Sequence, residues 1–320
     1  MMADRSYRNF TNYSAYYYTG LDKVIIRIIM PIVVTIGIIG NIMTIIVIAS
    51  KKCKYTYFNI YLANLAVADT LYLLVAPTWI WNSYVKSPIH YVYDMGEGSD
   101  WFCPFFFYTI GVATTVALFT IFWLSVERYI AICKPWKFRK SGFGISSRSI
   151  KICGIIWLLG LSLMAKHLTL SSTKLIVEGL NFTRCEPSEL HFNILLFVEL
   201  PLIILAVIVV VVLYTLMLIS LRKALVISAN STVKKSRSKS EMKIFLTLVV
   251  TVIVYIVGIY PKYIYRLLLR YEIADNISTM TIFDLMCIIN SSVNPLIYNV
   301  MNDTFRLAFR DVYCKRCNKR

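Results

Sequence analysis

Polar side chains interrupt several long apolar stretches of this sequence. Asp69 ends the run Leu-Ala-Asn-Leu-Ala-Val-Ala-Asp, Asn41 lies in an earlier stretch, and Asn290, Ser291 and Asn294 lie in the last one. Asn290 and Asn294 are one helical turn apart and share a helix face. Such a cluster could join helices by hydrogen bonds or act as a hydrated or sodium-binding switch. The spacing leaves both interpretations open, and we expect no other metal or cofactor.

A second group of ionisable residues, Glu127-Arg128-Tyr129, ends the third apolar stretch. The adjacent acid and base can neutralise each other locally. Glu241 is the one acid in the basic segment before the sixth stretch, and its carboxylate suits the fork of the Arg128 guanidinium. A pair of this kind would hold two helices together until it is broken. Alternatively, Arg128 extends to the membrane interface without a partner.

The seventh stretch ends in Asn294-Pro295-Leu-Ile-Tyr298. Proline weakens a helix because it lacks the backbone N–H that would bond one turn back. The polar side chains of Asn294 and Tyr298 lie beside it. This combination predicts a local hinge in the last helix.

The elements that position these residues are seven apolar runs of membrane-spanning length. The mean hydropathy is +0.65, 58% of the residues are hydrophobic and only 16% are charged, so lipid is the expected solvent. Prolines within these runs are compatible with membrane helices. The runs are Ile28–Ala49, Tyr57–Val85, Trp101–Val126, Ile152–Ala165 with an extension toward Ser172, Leu200–Leu221, Ile244–Pro261 continuing to Leu269, and Ile277–Val300.

The distribution of basic residues predicts the orientation. Most of the 34 lysines and arginines lie in the segments on the side of the C-terminus, and the opposite side holds most of the acids. Basic loops face the cytosol, so the N-terminus is expected outside a plasma membrane that the chain crosses several times. The net charge of +17 therefore reflects cytosolic loops and not nucleic-acid binding. Four candidate glycosylation sites lie on the outer side: Asn9, Asn12, Asn181 and Asn276.

Two of the eight cysteines fall on the oxidising outer side. These two, Cys103 and Cys185, are expected to form a disulfide that ties the loop before the fifth span to the third span. Cys314 and Cys317 follow an amphipathic stretch near the inner membrane surface. They are candidates for palmitoylation, and ordinary reduced thiols are the alternative.

These features predict an all-α membrane protein: a seven-transmembrane helix bundle with a short amphipathic eighth helix. Alternating residues around Cys185 predict a small β-hairpin in the second extracellular loop. The expected parts are an extracellular tail over residues 1–23, the seven-transmembrane domain over 24–301, and a cytoplasmic amphipathic helix with the C-terminal tail over 302–320.

The sequence resembles the rhodopsin-like (class A) G-protein-coupled receptors along almost its whole length. The motifs occur in order, and every span carries at least one. They are Gly40-Asn41, the run to Asp69, Cys103, Glu127-Arg128-Tyr129, Trp157, Cys185, Pro201, Pro261, Asn294-Pro295-Leu296-Ile297-Tyr298 and Phe305. Several positions depart from the pattern. Ile259 stands where the family usually has tryptophan, Val209 where it commonly has tyrosine, and Ala117 where serine is frequent. The proline that often follows Trp157 is absent near His167.

The resemblance implies a signalling mechanism. An extracellular agonist would favour a state in which the sixth helix swings outward and opens a cytosolic cleft. Arg128, Tyr298 and the basic loops would then contact a heterotrimeric G protein. Arrestin and a receptor kinase are further partners that the family implies, besides the membrane lipids.

The outer mouth points to the peptide-receptor branch of the family. Ile110 stands where amine receptors carry an aspartate, and Ile288 where opsins carry the retinal-binding lysine. Mixed charges near a wide opening suit a peptide better than a lipid. Alternatively, Lys262 and Arg266 anchor lipid headgroups. The candidate ligand-binding residues are Trp79, Glu199, Lys262, Tyr263, Arg266 and Asp284.

Other function classes fit less well. A rhodopsin-like receptor for a lipid or other small molecule is the nearest alternative. A seven-helix transporter lacks the expected chain of ionisable groups in its inner half. A zinc hydrolase would need several His or Asp ligands, and the chain has only three histidines, all near the outer side. The sequence therefore predicts a receptor and not an enzyme.

Overall fold

The computed structural model describes residues 17–50, 57–86, 101–140, 146–169, 171–177, 180–186, 194, 197–198, 200–227, 232–271, 273, 276, 278–301 and 303–313. For residues 86, 102, 103, 169, 171–177, 180–186, 225–227, 232–240, 270 and 304 only the backbone is described. All structural statements below concern these parts of the chain.

Seven described helices are long and apolar enough to cross a membrane, which confirms the predicted count. They are followed by a short eighth helix. The helices are α1 (Gly20–Ala49), α2 (Tyr57–Lys86), α3 (Phe102–Cys133), α4 (Ser146–Met164), α5 (Leu200–Ile227), α6 (Thr232–Arg270), α7 (Thr279–Met301) and α8 (Asp303–Tyr313). A six-residue helix, Pro135–Lys140, follows α3, and a 3₁₀ turn, Ala165–Thr169, follows α4.

The first helix begins at Gly20, two turns before Ile28, where its apolar run starts. Thr19 caps it: its hydroxyl accepts from the Asp22 backbone N–H, and the Asp22 carboxylate accepts from the Thr19 backbone N–H. This capping box satisfies backbone donors that the helix leaves unpaired. The last residues of the predicted tail therefore form the first turn of α1, and a π-helical segment, Ile25–Ile29, continues it.

Two strands form an antiparallel hairpin in the segment between α4 and α5. They are β1 (Ser171–Val177) and β2 (Leu180–Glu186), with Ser172 opposite Cys185. The hairpin places the backbone of Cys185 near the end of β2.

The interior of the bundle is built mainly on α2 and α7, the two most buried spans, whereas α5 is the least buried. Hydrogen bonds between side chains connect three helices. Trp157 Nε1 on α4 donates to Asn64 Oδ1 on α2, at 2.9 Å, and Asn64 Nδ2 donates to Thr120 Oγ1 on α3, at 2.7 Å. Lipid tails are as apolar as the side chains, so the hydrophobic effect does not drive membrane helices together. Packing and hydrogen bonds of this kind associate them instead.

Small residues allow the helices to approach closely. A Cβ placed on Gly258 of α6 would lie 2.7 Å from the Asn290 Cβ of α7. No flexible side-chain end separates the helices there, so α6 and α7 are in contact at this level.

The eighth helix turns away directly after α7 and packs back against the bundle. Phe305 is buried, and its ring lies edge-on to that of Tyr298 at 6.1 Å. The Tyr313 hydroxyl donates to the Met43 carbonyl of α1, at 3.4 Å. These contacts place α8 beside the end of α7 that carries Pro295.

Candidate functional site

We call the end of the bundle that carries Glu127 and Arg128 the inner end, and the end that carries Asp284 the outer end. Midway between them lies the polar cluster that the sequence suggests. Asp69, Asn41 and Asn294 are all buried, and Asn294 Nδ2 donates to Asp69 Oδ2 at 2.8 Å. The structure therefore brings the predicted carboxylate and amide of α2 and α7 into direct contact.

Asn41 binds α7 through a backbone carbonyl of that helix. Its Nδ2 donates to the Ser291 carbonyl at 2.9 Å. That carbonyl lies four residues before Pro295, whose missing N–H would otherwise have bonded to it. The side chain of Asn41 thus replaces the backbone bond that the proline removes. Asn290 is also buried but packs toward Gly258 on α6.

The cluster retains buried acceptor capacity. The side-chain oxygens of Asn41 and Asn294 have no hydrogen-bond partner among the described residues. Oxygen atoms of carboxylates and amides are the ligands that hard cations prefer, and buried water satisfies such atoms as well. These residues therefore fit either a water molecule or a sodium ion.

At the inner end, Arg128 on α3 faces Glu241 on α6. Arg128 Nη1 lies 3.8 Å from Glu241 Oε2, and the arginine side chain is 8% exposed against 34% for the glutamate. The guanidinium carbon also lies over the rings of Tyr57 and Phe58, at 4.9 and 4.5 Å. The cation is thus held by a carboxylate on one helix and aromatic faces on another.

Glu127 is bound by other partners. Its Oε1 accepts from the Tyr61 hydroxyl at 2.9 Å and from Trp123 Nε1 at 3.2 Å, and the residue is fully buried. The sequence analysis did not identify these two donors, although Trp123 precedes Glu127 by one helical turn. Tyr129 packs on the opposite side, against the apolar cluster that α5 and α6 form.

A further ion pair holds the inner end of α6, and the sequence analysis missed it. Lys243 Nζ pairs with Asp303 Oδ2 at the start of α8, and Arg306 Nη2 contacts Asp303 Oδ1 at 2.5 Å. The hydrogen bond from Lys243 is the main cause that lowers the pKa of the exposed Asp303 carboxyl. It stays ionised to lower pH than an ordinary aspartate, so this contact weakens only as the pH falls through the lowered value.

The predicted hinge lies within α7. Pro295 is inside the helix, and Asn299 Nδ2 donates to the Pro295 carbonyl at 3.1 Å. The Tyr298 hydroxyl is buried and has no hydrogen-bond partner among the described residues. A polar atom in that condition is unfavourable, which suits a side chain that changes partners when the helix moves.

At the outer end, an ion pair joins α6 to α7. Lys262 Nζ lies 2.6 Å from Asp284 Oδ1, and the two side chains are 22% and 6% exposed. Tyr263 is half-buried, and Arg266, one turn further along α6, is exposed. Lys262 and Asp284 are both predicted ligand-binding residues, but their pairing was not predicted from the sequence.

The rest of the outer mouth is aromatic. Trp79 is buried against Phe106 and Phe107 of α3, with ring centroids 5.4 and 5.1 Å apart. Glu199, the remaining predicted ligand-binding residue, lies outside the described residues.

The segment just before α1 also belongs to the outer end. Tyr18 is buried, shares a hydrogen bond with Ser83 Oγ at 3.3 Å, and contacts Tyr84 edge-on at 5.0 Å. Burial raises the pKa of Tyr18 to about 12. Asp22 is fully buried and accepts from the Ser278 hydroxyl at 2.8 Å, just before α7. Tyr18 and Asp22 were not predicted as site residues, because they precede the apolar run that begins at Ile28.

Several predicted sites cannot be placed. The side chains of Cys103, Cys185 and Asn181 are not described. Asn9, Asn12, Cys314 and Cys317 lie outside the described residues. Asn276 is described and exposed, and its side-chain oxygen accepts from the Ser278 backbone N–H at 3.1 Å.

Comparison with known proteins identifies a family that covers these residues. Residues 40–298 match the model of the family described as 7 transmembrane receptor (rhodopsin family). This match includes the polar cluster, the Arg128–Glu241 pair and the α7 hinge.

Similar proteins include three kinds of receptor. Human (Homo sapiens) neuromedin-U receptor 2 is 28% identical over 88% of this chain and 70% of its own length. Rat (Rattus norvegicus) galanin receptor type 1 is 26% identical over 94% of this chain and 85% of its own length. Mouse (Mus musculus) somatostatin receptor type 1 is 24% identical over 92% of this chain and 72% of its own length.

Proposed function

Because the chain belongs to the rhodopsin family of seven-transmembrane receptors, we propose that it binds an extracellular peptide and activates heterotrimeric G proteins. Membership of a receptor family also means that the protein is not an enzyme. It is a multi-pass protein of the plasma membrane. The direct contact between Arg128 on α3 and Glu241 on α6 carries the proposal, because it gives the inner end a bond that a signal can break.

Activation follows from that contact. Outward motion of the inner half of α6 separates Glu241 from Arg128 and opens a cleft in which the arginine becomes available to a G protein. The separation is energetically accessible because Glu241, whose side chain is 34% exposed, is solvated by water once it leaves, and the buried guanidinium keeps its contacts with the Tyr57 and Phe58 rings. The contact itself therefore contributes only about 1 kcal/mol. An agonist needs to favour the open state by a similar amount to shift the population several-fold.

The peptide ligand is supported by two observations. The relatives are receptors named for neuromedin U, galanin and somatostatin. The outer end presents a cation and a carboxylate between α6 and α7, and aromatic rings between α2 and α3, as a ligand with several polar groups requires. A lipid would find fewer complementary groups at such a mouth.

The remaining partners are those that the receptor family implies. With the inner end in the cytosol, the basic loops and α8 face the G protein, and also arrestin and a receptor kinase. Palmitate on Cys314 or Cys317 would tether α8 to the inner leaflet. Outside, glycans on Asn9, Asn12, Asn181 and Asn276 and a Cys103–Cys185 disulfide would complete the extracellular surface. A sodium ion at Asp69, coordinated also by Asn41 or Asn294, would stabilise the resting arrangement.

The test is G-protein dissociation in cells that express the chain and are exposed to a peptide library containing neuromedin U, galanin and somatostatin. We expect at least one peptide to release G protein from the wild type and none from Arg128→Ala. Both proteins must reach the cell surface in equal amounts, which an N-terminal epitope measures. A response to lipids alone would contradict the peptide proposal, and a substrate-driven current without G-protein release would contradict the receptor mechanism.

A further inference from the structure

The wall of the outer mouth that α6 and α7 form carries more positive than negative charge. Lys262 and Arg266 carry two positive charges on α6, and Asp284 carries one negative charge on α7. Arg266 lies one turn beyond Lys262, on the same helix face, and the two interact electrostatically. The positive charges exceed the negative charge on this wall, which we call the α6–α7 wall.

Within the ion pair, the positive side chain is also the more exposed one. The Lys262 side chain is 22% exposed, whereas that of Asp284 is 6% exposed. An ammonium group has three N–H donors, and Asp284 Oδ1 uses one of them. A ligand that enters from the mouth therefore meets, before the carboxylate, a cation with two N–H donors that no described residue occupies.

From this geometry we propose that Lys262 and Arg266 form a subsite for a carboxylate of the ligand. The proposal rests on the proposed peptide receptor and specifies what its ligand must carry. A carboxylate between the two cations neutralises the excess charge of the α6–α7 wall and relieves their mutual repulsion. The Arg266 fork can bind it through two parallel N–H donors.

Asp284 makes the subsite selective. It already supplies Lys262 with a counter-charge inside the bundle, so a neutral ligand group gains little there. A cationic ligand group is repelled by Lys262 and Arg266 before it can reach the more deeply buried aspartate. Selectivity thus comes from a repulsive element as well as an attractive one.

The carboxylate can come from a free peptide C-terminus or from an acidic side chain, and the experiment separates these sources. Two peptide libraries identical in sequence, one ending in a carboxylate and one in a carboxamide, are measured for binding to the purified full-length chain. Peptides that bind are then remade with Asp or Glu replaced by Asn or Gln. Binding to purified protein does not depend on G-protein coupling.

We expect binders to require a carboxylate in one of these positions, and their affinity to fall about tenfold or more in Arg266→Ala. Lys262→Ala should have the same effect. If that variant does not fold, Arg266→Ala carries the test, because its side chain is exposed. Lys23→Ala is the matched control, since it removes an exposed cation at the outer end that belongs to α1 and not to the α6–α7 wall.

Equal binding of the acid, the amide and the side-chain variants would overturn the subsite, as would unchanged affinity in Arg266→Ala. If neither library binds, the subsite is overturned together with the peptide ligand. G-protein coupling is tested independently of any ligand, by G-protein dissociation in cells without added ligand.

Discussion

A largely buried ion pair connects the outer ends of α6 and α7, and its energetics are unlike those of a surface pair. The Asp284 side chain is 6% exposed and the Lys262 side chain 22% exposed, so most of the pair is removed from bulk water. Withdrawal of two charges from water costs about as much as their attraction returns, so the intact pair adds little stability. Removal of one partner is different, because it leaves an uncompensated charge.

This asymmetry makes a prediction for Asp284. Asp284→Leu should destabilise the purified receptor by about 3 kcal/mol, because the Lys262 ammonium loses its counter-charge. Lys262→Leu combined with Asp284→Leu should recover most of that loss. Thermal unfolding of the detergent-solubilised protein measures both, with Asp303→Asn as an exposed control. A double variant less stable than Asp284→Leu would contradict the pairing.

The sequence predicted some residue contacts and missed others for a definable reason. Arg128 and Glu241 were expected to meet because each lies at the inner end of its span. Lys262 and Asp284 were not paired, since the rotation of α6 relative to α7 cannot be read from either helix alone. Asp22 was missed although Thr19 and Asp22 have the spacing of a capping box.

Among the elements, α7 is the one on which the described site depends. It supplies Asn294 to Asp69, the Ser291 carbonyl to Asn41, and Asp284 to Lys262. A proline-weakened helix with partners on α1, α2 and α6 can transmit a change at its outer end to its inner end. The close approach of Gly258 to Asn290 keeps α6 in register with it.

The α6–α7 contact is tested by a pair of glycine substitutions. Gly258→Ala should destabilise the protein by about 1–3 kcal/mol, because the added methyl group meets the Asn290 Cβ. Gly154→Ala should be neutral or slightly stabilising, since nothing lies within 4 Å of its Cβ position and alanine favours a helix. Thermal unfolding again provides the measurement. Equal stability of the two variants would exclude the close contact.

Hydropathy predicted the existence and order of the helices but not all of their ends. The apolar run of the sixth span begins near Ile244, yet α6 begins at Thr232, because polar and basic residues continue a helix beyond the membrane. The first helix likewise begins at Gly20 because of its capping box. Hydropathy detects the lipid-facing length of a helix, whereas caps and backbone bonds set its ends.

For the whole molecule, orientation decides which end receives a ligand. An N-terminal epitope should be accessible to antibody on intact cells, and a C-terminal epitope only after permeabilisation. Enzymatic removal of N-linked glycans should lower the apparent mass of the wild type. Asn9→Gln combined with Asn12→Gln should reduce that shift. A C-terminal epitope accessible on intact cells would contradict the distribution of basic loops.

The central claim is that breakage of the Arg128–Glu241 contact releases α6 and activates a G protein. The most direct measurement is G-protein dissociation without added ligand in cells expressing the wild type, Glu241→Ala, and Glu241→Ala with Arg128→Ala, at matched surface levels. A partly exposed pair predicts a rise of about two- to fivefold for Glu241→Ala. The double variant should fall to the level of untransfected cells. Unchanged basal dissociation in Glu241→Ala would contradict the account.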